Sequence, residues 1–167
     1  SVISAINYLG INCNLSNNIE QIINSDILIL PGVGSFKKGV LNLKKLGLFD
    51  LIKNQVIEKN KKILGICLGF QLLGISSSED GFEEGLNLIP AKVERFENYS
   101  GDLKIPHIGF NSVNFLKNDL LFSNLKEKSD FYFVHSYRFK NESIEGCIST
   151  VNYGEEFIAS YHKDNIF

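Results

Sequence analysis

The stretch Ile63-Leu-Gly-Ile-Cys-Leu-Gly-Phe-Gln-Leu-Leu73 decides the fold prediction for this chain. Its apolar beginning, Ile63 to Ile66, is typical of a buried strand, and Phe70 to about Ile75 follows as a helix. A strand that turns directly into a helix is the basic unit of α/β proteins. The stretch therefore predicts an α/β domain with a sharp strand-to-helix turn at Cys67.

Two glycines flank Cys67 in this turn and indicate a catalytic role for it. Gly65 and Gly69 lie two residues before and two residues after Cys67. A nucleophile elbow needs small residues at these positions, so the pattern predicts an elbow that carries cysteine instead of serine. The N-terminus of the following helix favours the reactive thiolate, and the N–H of Leu68 would point toward a substrate oxyanion. The alternative is a buried cysteine that only ends a strand.

A second glycine loop lies upstream, after the apolar run Asp26 to Leu30. Pro31-Gly-Val-Gly-Ser35 exposes backbone N–H groups at the end of that predicted strand. By itself, such a loop could be an ordinary turn, a phosphate cradle or the second donor of an oxyanion hole. Because the carboxyl ends of parallel strands share one edge of a sheet, the oxyanion interpretation is favoured beside the Cys67 elbow.

The predicted elements change character along the chain. In the first half, helical patterns over Ser35 to Leu46 and Phe49 to Asn60 alternate with the apolar strands, and Ile11 to Leu15 is a possible short strand. The second half consists mainly of predicted strands, including Lys104 to His107 and Asn111 to Phe115. This order predicts an α/β, flavodoxin-like, mostly parallel sheet flanked by helices, with an antiparallel strand extension in the second half.

Composition excludes several functional classes. The chain has 167 residues, of which 44% are hydrophobic, and 17 basic against 19 acidic side chains give a net charge of -2. These values argue against disorder, against a nucleic-acid partner and against a membrane protein. Cys13, Cys67 and Cys147 are distant in sequence, so neither a disulfide framework nor a metal site is expected, and a cytoplasmic location fits best.

Three histidines are candidate bases for a cysteine nucleophile. They are His107, His135 and His162, and their spacing does not decide among them. A structural or interface role is the alternative for each.

Four motifs together resemble class-I (triad) glutamine amidotransferases. They are Pro31-Gly-Val-Gly-Ser-Phe36, the elbow stretch Ile63 to Leu73, Ile105-Pro-His-Ile-Gly-Phe-Asn111 and Phe131-Tyr-Phe-Val-His-Ser-Tyr137. The last two are similar to motifs of the glutaminase subunits of imidazole glycerol phosphate synthases. The resemblance covers essentially the whole chain in the family's order.

This resemblance implies a glutaminase. Cys67 would attack the side-chain amide of L-glutamine, form a thioester and release ammonia, without any cofactor. The family's pattern places the oxyanion hole at Val33, Gly34 and Leu68. It places glutamine-binding residues at Gly32, Gly34, Gln71, His135, Ser136 and Tyr137.

The resemblance also implies a partner. Ammonia would pass, shielded from bulk water, into a (β/α)₈-barrel cyclase subunit that makes imidazole glycerol phosphate in histidine biosynthesis. The expected heterodimer interface includes Phe110, Asn111 and Tyr132, and Phe110 stands where the family usually has Trp. A peptide flip at Val33 would present the oxyanion donor when the partner is loaded, because glycine on both sides makes the flip sterically cheap.

The family has two further pieces at its ends. One is a strand before the first helix, and the other is a Gln-Phe-His-Pro-Glu strand with the catalytic base and acid. We expect residues 1–167 to form a single amidotransferase domain that lacks both pieces, so that no residue here inherits the catalytic His or Glu role. His162 is then interpreted as a surface histidine.

Two alternatives to this function stay open. A paralogous amidotransferase subunit could feed ammonia to sugar amidation in polysaccharide biosynthesis. A non-catalytic homologue could bind a barrel partner without hydrolysing glutamine.

Overall fold

The computed structural model describes residues 1–97, 103–115, 119–125, 128–140 and 143–167. The helices in these ranges are α1 (Val2–Tyr8), α2 (Ile19–Asn24), α3 (Phe36–Lys45), α4 (Leu48–Ile57) and α5 (Leu68–Leu72). The strands are β1 (Ile27–Gly32), β2 (Lys62–Cys67), β3 (Ser76–Ser77), β4 (Glu83–Glu84), β5 (Val93–Arg95), β6 (His107–Asn114), β7 (Lys128–His135), β8 (Tyr137–Lys140), β9 (Cys147–Tyr153) and β10 (Glu155–His162). A short 3₁₀ helix spans Leu120–Phe122.

Strands β1 and β2 form a parallel pair that brings the two glycine loops together. The register runs from Ile27 opposite Lys62 to Gly32 opposite Cys67. Both strands therefore end at the same edge, where β1 leads into the Gly32–Gly34 loop and β2 leads into the elbow.

The last residues of the chain pair with the other side of β2. The N–H of Ile63 donates to the carbonyl of Asn165 at 2.9 Å, and the N–H of Gly65 donates to the carbonyl of Phe167 at 2.8 Å. This pairing is parallel at Ile63 and Ile166. Strand β2 is thus held from both sides, which fixes the strand that carries Cys67.

Helices α3 and α5 pack a common core against the parallel pair. Helix α3 buries Phe36, Val40 and Leu43, which recur on one face at helical spacing. This face belongs to the same buried cluster as Leu72 of α5 and Ile63 of β2. This shared core holds the first turn of α5 against the ends of β1 and β2.

The second half forms an antiparallel sheet. Its strand order is β4-β3-β5-β8-β10-β9-β6-β7, and all neighbours except β3 and β5 run antiparallel. A second apolar cluster beneath it contains Phe96, Val113, Val151 and Phe157. Phe139 of β8 contacts Phe70 of α5 edge to face at 4.9 Å between ring centroids. This contact ties the elbow helix to the antiparallel half.

The predicted α/β class with an antiparallel second half is confirmed, but three details are wrong. No strand forms over residues 11–15, because the segment finds no sheet partner among the described strands. The apolar run Asp26 to Leu30 favours a strand buried on both faces, but β1 is only half-buried and has β2 as its one partner in the described sheets. The two strands predicted around Gly109 are one strand, because Gly109 keeps its place opposite Phe133 at φ +140°.

No helix in the described ranges combines the length and apolar character needed to cross a bilayer.

Candidate functional site

Cys67 occupies the predicted elbow. Its backbone has φ 57° and ψ -119°, a conformation that a residue with a side chain rarely adopts. It ends β2, precedes the first residue of α5 and is exposed to solvent. The strained turn lifts the thiol out of the strand and presents it at the sheet edge, as nucleophile elbows do.

The close approach of β1 and α5 explains the glycine spacing. A Cβ on Gly69 would lie 1.6 Å from the carbonyl oxygen of Leu30, and a Cβ on Gly65 would lie 2.5 Å from the Cα of Phe70. Neither distance is sterically possible, so both positions require glycine for this turn to form. The structure therefore gives the physical reason for the sequence pattern around Cys67.

The loop after β1 lies against the elbow. A Cβ on Gly32 would be 3.1 Å from the Cβ of Leu68 and 3.2 Å from the backbone nitrogen of Gly69. Val33 is 93% exposed, and Gly34 has a φ of +103°. Leu68 is the first residue of α5, so its N–H has no acceptor within the helix. Backbone donors from two loops thus border one space beside Cys67.

A cleft of about 330 Å³ opens at this point. Its lining comes from the Gly32–Gly34 loop, the elbow, the loop after β3 and the corner between β7 and β8: Val33, Gly34, Cys67, Leu68, Gln71, Glu79, Pro106, Val134, His135, Ser136 and Tyr137. The structure therefore brings together all the residues predicted for the oxyanion hole and for glutamine binding, with Gly32 packed behind the lining.

Gln71 bridges the two halves of the cleft. Its Nε2 donates to the backbone carbonyl of Tyr137 at 2.8 Å. This bond uses one of the two N–H donors of the amide, and Oε1 stays available as an acceptor. Gln71 can therefore accept a hydrogen bond from a ligand that carries a donor group.

The His135 ring faces the protein rather than the cleft space. Its Nδ1 is 2.9 Å from the carbonyl of Tyr137, and its Nε2 is 3.0 Å from the Nδ1 of His107. Burial lowers the pKa of His135, the hydrogen bond to Tyr137 opposes this, and the Arg138 charge lowers it further. Burial and the neighbouring His135 lower the pKa of His107 to about 4. Both rings are therefore neutral at pH 7.

His162 is not the surface residue that the sequence suggested. Its side chain is only 17% exposed, stacks on Phe167 at 4.3 Å and has its Nδ1 3.8 Å from Asp119. Asp119 is distant from His162 in the sequence, so its approach to this ring could not be foreseen. Both ring nitrogens of His135 are hydrogen-bonded, and His107 and His162 do not line the cleft, so none of the three is placed as a base for Cys67.

Glu79 is a cleft residue that the sequence reasoning missed. Its Oε2 accepts the backbone N–H of Phe36, the first residue of α3, at 2.8 Å. The Ser77 hydroxyl oxygen accepts the N–H of Glu79 at 3.2 Å and shapes this loop. The acidic residue in the Ser-Ser-Ser-Glu-Asp-Gly loop after the elbow helix was the available signal. Glu79 places a carboxylate in the cleft lining, which the β7–β8 corner also borders.

The predicted interface residues lie outside the cleft. Phe110 and Tyr132 face each other across β6 and β7, with ring centroids 5.3 Å apart. They are 76% and 58% exposed, and their neighbours Ile108 and Val134 are exposed too. Asn111 is half-buried, and its Nδ2 donates to the carbonyl of Asn152 at 3.0 Å. An aromatic and aliphatic surface thus begins at the rim of the cleft, where Val134 also lines the opening.

Within the described part of the chain, no group of three or more His, Cys, Asp or Glu side chains is placed to hold a metal ion.

Comparison with known proteins points to the family that the sequence motifs resemble. The family model "Glutamine amidotransferase class-I" matches residues 1–167. "Imidazole glycerol phosphate synthase subunit HisH 1" from Campylobacter jejuni subsp. jejuni serotype O:23/36 (strain 81-176) is 44% identical over 167 residues, covering 100% of this chain and 82% of the relative. "Imidazole glycerol phosphate synthase subunit HisH 2" from Methanococcus maripaludis is 43% identical with the same coverage. The subunit called HisH 2 from Pseudomonas aeruginosa is 40% identical over 167 residues, again covering 100% of this chain and 82% of the relative.

A solved structure supports the fold. The chain in "Crystal structure of glutamine amidotransferase" matches with a TM-score of 0.73 at 18% identity, covering 99% of this chain and 79% of that chain. The family model spans the whole chain, and the elbow, the glycine loop and the cleft stand in the geometry that their motifs predicted. This chain belongs to the class-I glutamine amidotransferase family.

Proposed function

We propose that this protein is the glutaminase subunit of an imidazole glycerol phosphate synthase. It releases ammonia from L-glutamine through a thioester on Cys67 and supplies it to a cyclase partner in histidine biosynthesis. The observation that carries the proposal is the strained, exposed Cys67 at a glycine-flanked elbow, beside backbone donors of a second loop. The names of its relatives at 40–44% identity support the pathway.

The chemistry has two halves. The Cys67 thiolate attacks the carboxamide carbon of glutamine, and the carbonyl oxygen becomes an oxyanion that accepts hydrogen bonds from Leu68 N–H and from the Val33–Gly34 loop. Collapse of this intermediate breaks the C–N bond, and the nitrogen leaves as ammonia after taking up a proton. Water then attacks the thioester, which yields glutamate and restores Cys67.

The cleft suits the amino-acid end of glutamine. Its volume of about 330 Å³ lies at the lower end for small-molecule sites. Gln71 Oε1 and the Glu79 carboxylate are acceptors that match the substrate ammonium group. The backbone of His135, Ser136 and Tyr137 borders the opposite wall. Because both ring nitrogens of His135 are engaged, its contribution to glutamine binding comes from the backbone.

The mechanism requires a general base. Both ring nitrogens of His135 are hydrogen-bonded, and His107 and His162 do not line the cleft. We propose that the full protein supplies the base and its acidic partner from residues outside these 167, which would complete a single amidotransferase domain. The relatives contain more residues than match this chain, which supports that arrangement.

The partner is proposed to be a (β/α)₈-barrel cyclase that docks on the exposed face of β6 and β7. Phe110 and Tyr132 form the aromatic centre of this face, and Ile108 and Val134 extend it toward the cleft. Aromatic side chains dominate the energetics of such interfaces. Docking there would cap the cleft rim and keep ammonia from bulk water, and a peptide flip at Val33 would couple hydrolysis to the loaded partner. A cytoplasmic location suits three unpaired cysteines.

A second candidate is a paralogous subunit that feeds ammonia to a sugar-modifying synthase. Several relatives carry the numeral 1 or 2 in their names, which indicates that their organisms have more than one such subunit. Reconstitution with each candidate partner separates the two functions. Glutamine-dependent formation of imidazole glycerol phosphate supports the histidine pathway, and amidated sugar supports the paralogue.

The nucleophile is tested by Cys67→Ala in the full-length protein with its partner. Nucleophile removal is expected to lower glutamine hydrolysis by at least about 1000-fold while partner affinity stays unchanged. Cys147→Ala, which removes a half-buried cysteine of β9 that does not line the cleft, serves as the matched control and should keep full activity. Retained hydrolysis in Cys67→Ala would refute the mechanism. An inactive wild type that still binds the partner would favour the non-catalytic homologue.

A further inference from the structure

His107 lies behind the cleft and takes no part in its lining. It stands directly opposite His135 in the β6–β7 register, and their rings are joined by a bond of 3.0 Å between Nδ1 of His107 and Nε2 of His135. His135 in turn reaches the carbonyl oxygen of Tyr137 through Nδ1 at 2.9 Å. The same oxygen accepts the Nε2–H of Gln71 at 2.8 Å. A continuous chain of bonds thus runs from His107 to a cleft residue.

The carbonyl at the end of this chain fixes the direction of every bond. A carbonyl oxygen only accepts, so Nδ1 of His135 carries the hydrogen and donates. In the neutral ring, Nε2 of His135 is then an acceptor, and Nδ1 of His107 must be the donor. His107 therefore supplies the only kind of group that can satisfy the remaining nitrogen of His135.

The surroundings favour this neutral arrangement. His107 is 2% exposed and stacks on Tyr153 at 3.8 Å and on Phe133 at 5.0 Å between ring centroids. Arg138 of β8 is a charged residue near His135; it is paired with Glu155 and lies 3.9 Å from Glu94. Burial lowers the pKa of both histidines, and the Arg138 charge also lowers the pKa of His135.

We propose that His107 is a positioning residue for the glutamine cleft, because its Nδ1–H holds His135 in the tautomer that fixes the Tyr137 carbonyl and thereby the Gln71 amide. This rests on the proposed glutaminase function. The consequence is that Gln71 Oε1 stays turned toward the substrate. Loss of the His107 donor leaves Nε2 of His135 as a buried acceptor without a donor. The ring then reorients to satisfy this nitrogen, and its hydrogen bond to the Tyr137 carbonyl breaks.

Two substitutions separate positioning from packing. His107→Phe keeps a stacking ring and removes the donor, whereas His107→Asn removes the ring and keeps an N–H donor near the position of Nδ1. In the full-length protein with its partner, we expect His107→Phe to raise the KM for glutamine about fivefold with kcat within twofold of wild type. His107→Asn should restore KM to within twofold of wild type. The reverse order, with Asn impaired and Phe normal, would show that the ring only fills space and would overturn the proposal.

Two further measurements keep this test decisive. Tyr153→Phe removes the bond from its hydroxyl to the Lys104 carbonyl in the same ring stack, and it should leave KM unchanged. Imidazole nitrogen NMR at pH 7 should show His135 protonated on Nδ1 in wild type and His107→Asn, with its Nε2 signal shifted in His107→Phe. An Nε2-protonated His135 in wild type would overturn the positioning role even with full hydrolysis. Absence of hydrolysis in wild type, with the expected NMR signals, would instead refute the glutaminase function alone.

Discussion

At the scale of single residues, the site depends on where glycine replaces a side chain. Cys67 is held in a strained conformation because Gly69 lets α5 approach β1 and Gly65 lets the same helix approach β2. These requirements are local in sequence, so the elbow, its nucleophile and the Leu68 donor could be predicted from spacing alone. Glu79 and the His107–His135 pair could not, because their partners lie 28 to 43 residues away in sequence.

Gly69→Ala tests this steric argument. Its Cβ would overlap the Leu30 carbonyl oxygen at 1.6 Å, so β1 and α5 must separate. We expect a loss of about 3 kcal/mol or more in the free energy of unfolding, measured by urea denaturation, together with loss of hydrolysis.

Gly39→Ala is the matched control within helix α3. The three atoms nearest to its Cβ would be methyl carbons of the Leu72 and Leu68 side chains, at 3.1 to 3.4 Å, and no backbone atom is among them; alanine also favours a helix. Its stability should change by less than about 1 kcal/mol. Equal losses in the two variants would mean that the Leu30 contact does not maintain the elbow.

At the scale of elements, the β6–β7 pair has one face in the aromatic core and one face exposed to solvent. Side chains alternate across a strand, so His107 points into the aromatic core while Ile108 and Phe110 lie on the exposed face. The sequence indicated strands here but divided β6 at Gly109. Glycine usually weakens a strand, but Gly109 keeps its pairing with Phe133 and β6 continues through it. Cross-strand pairing decided the outcome, and it is not visible in a single segment.

Phe110→Ala tests the exposed face of the β6–β7 pair. Truncation of the aromatic centre should weaken partner binding at least about tenfold, measured by calorimetry on the full-length subunit. Tyr132→Ala should act in the same direction because its ring contacts Phe110 at 5.3 Å. Leu41→Ala, an exposed apolar residue on α3, should leave affinity unchanged. If Leu41→Ala weakens binding and the two aromatic variants do not, the partner docks on another face.

At the scale of the whole molecule, two cores meet at the cleft. One core holds the parallel pair and its helices, and the other lies beneath the antiparallel sheet. The alternation of patterns along the sequence predicted the fold class and the antiparallel second half, but it did not predict two separate cores. The pairing of residues 165–167 with β2 was not predictable, because three residues carry no periodicity.

The buried histidine pair makes global stability depend on pH. The pKa of His107 falls from 6.5 to about 4 on folding, so only the unfolded chain takes up its proton as the pH drops below 6.5. Stability that is present at pH 7 is therefore lost toward pH 4, by about 2 kcal/mol at pH 5 from this group. His107→Asn should show a smaller loss of unfolding free energy between pH 7 and pH 5 than wild type. An identical pH slope in the two proteins would contradict the low pKa.

The role of Cys67 is tested by covalent labelling of the full-length protein with a chloroketone analogue of glutamine, followed by intact-mass and peptide mass spectrometry. If Cys67 is the glutamine nucleophile, one adduct forms, on Cys67, and its formation slows when glutamine is added. Cys13 and Cys147 in the same molecule are internal controls and should stay unmodified. Label spread over the three cysteines, or label on Cys67 that glutamine does not slow, would contradict the assignment of Cys67 as the glutamine nucleophile.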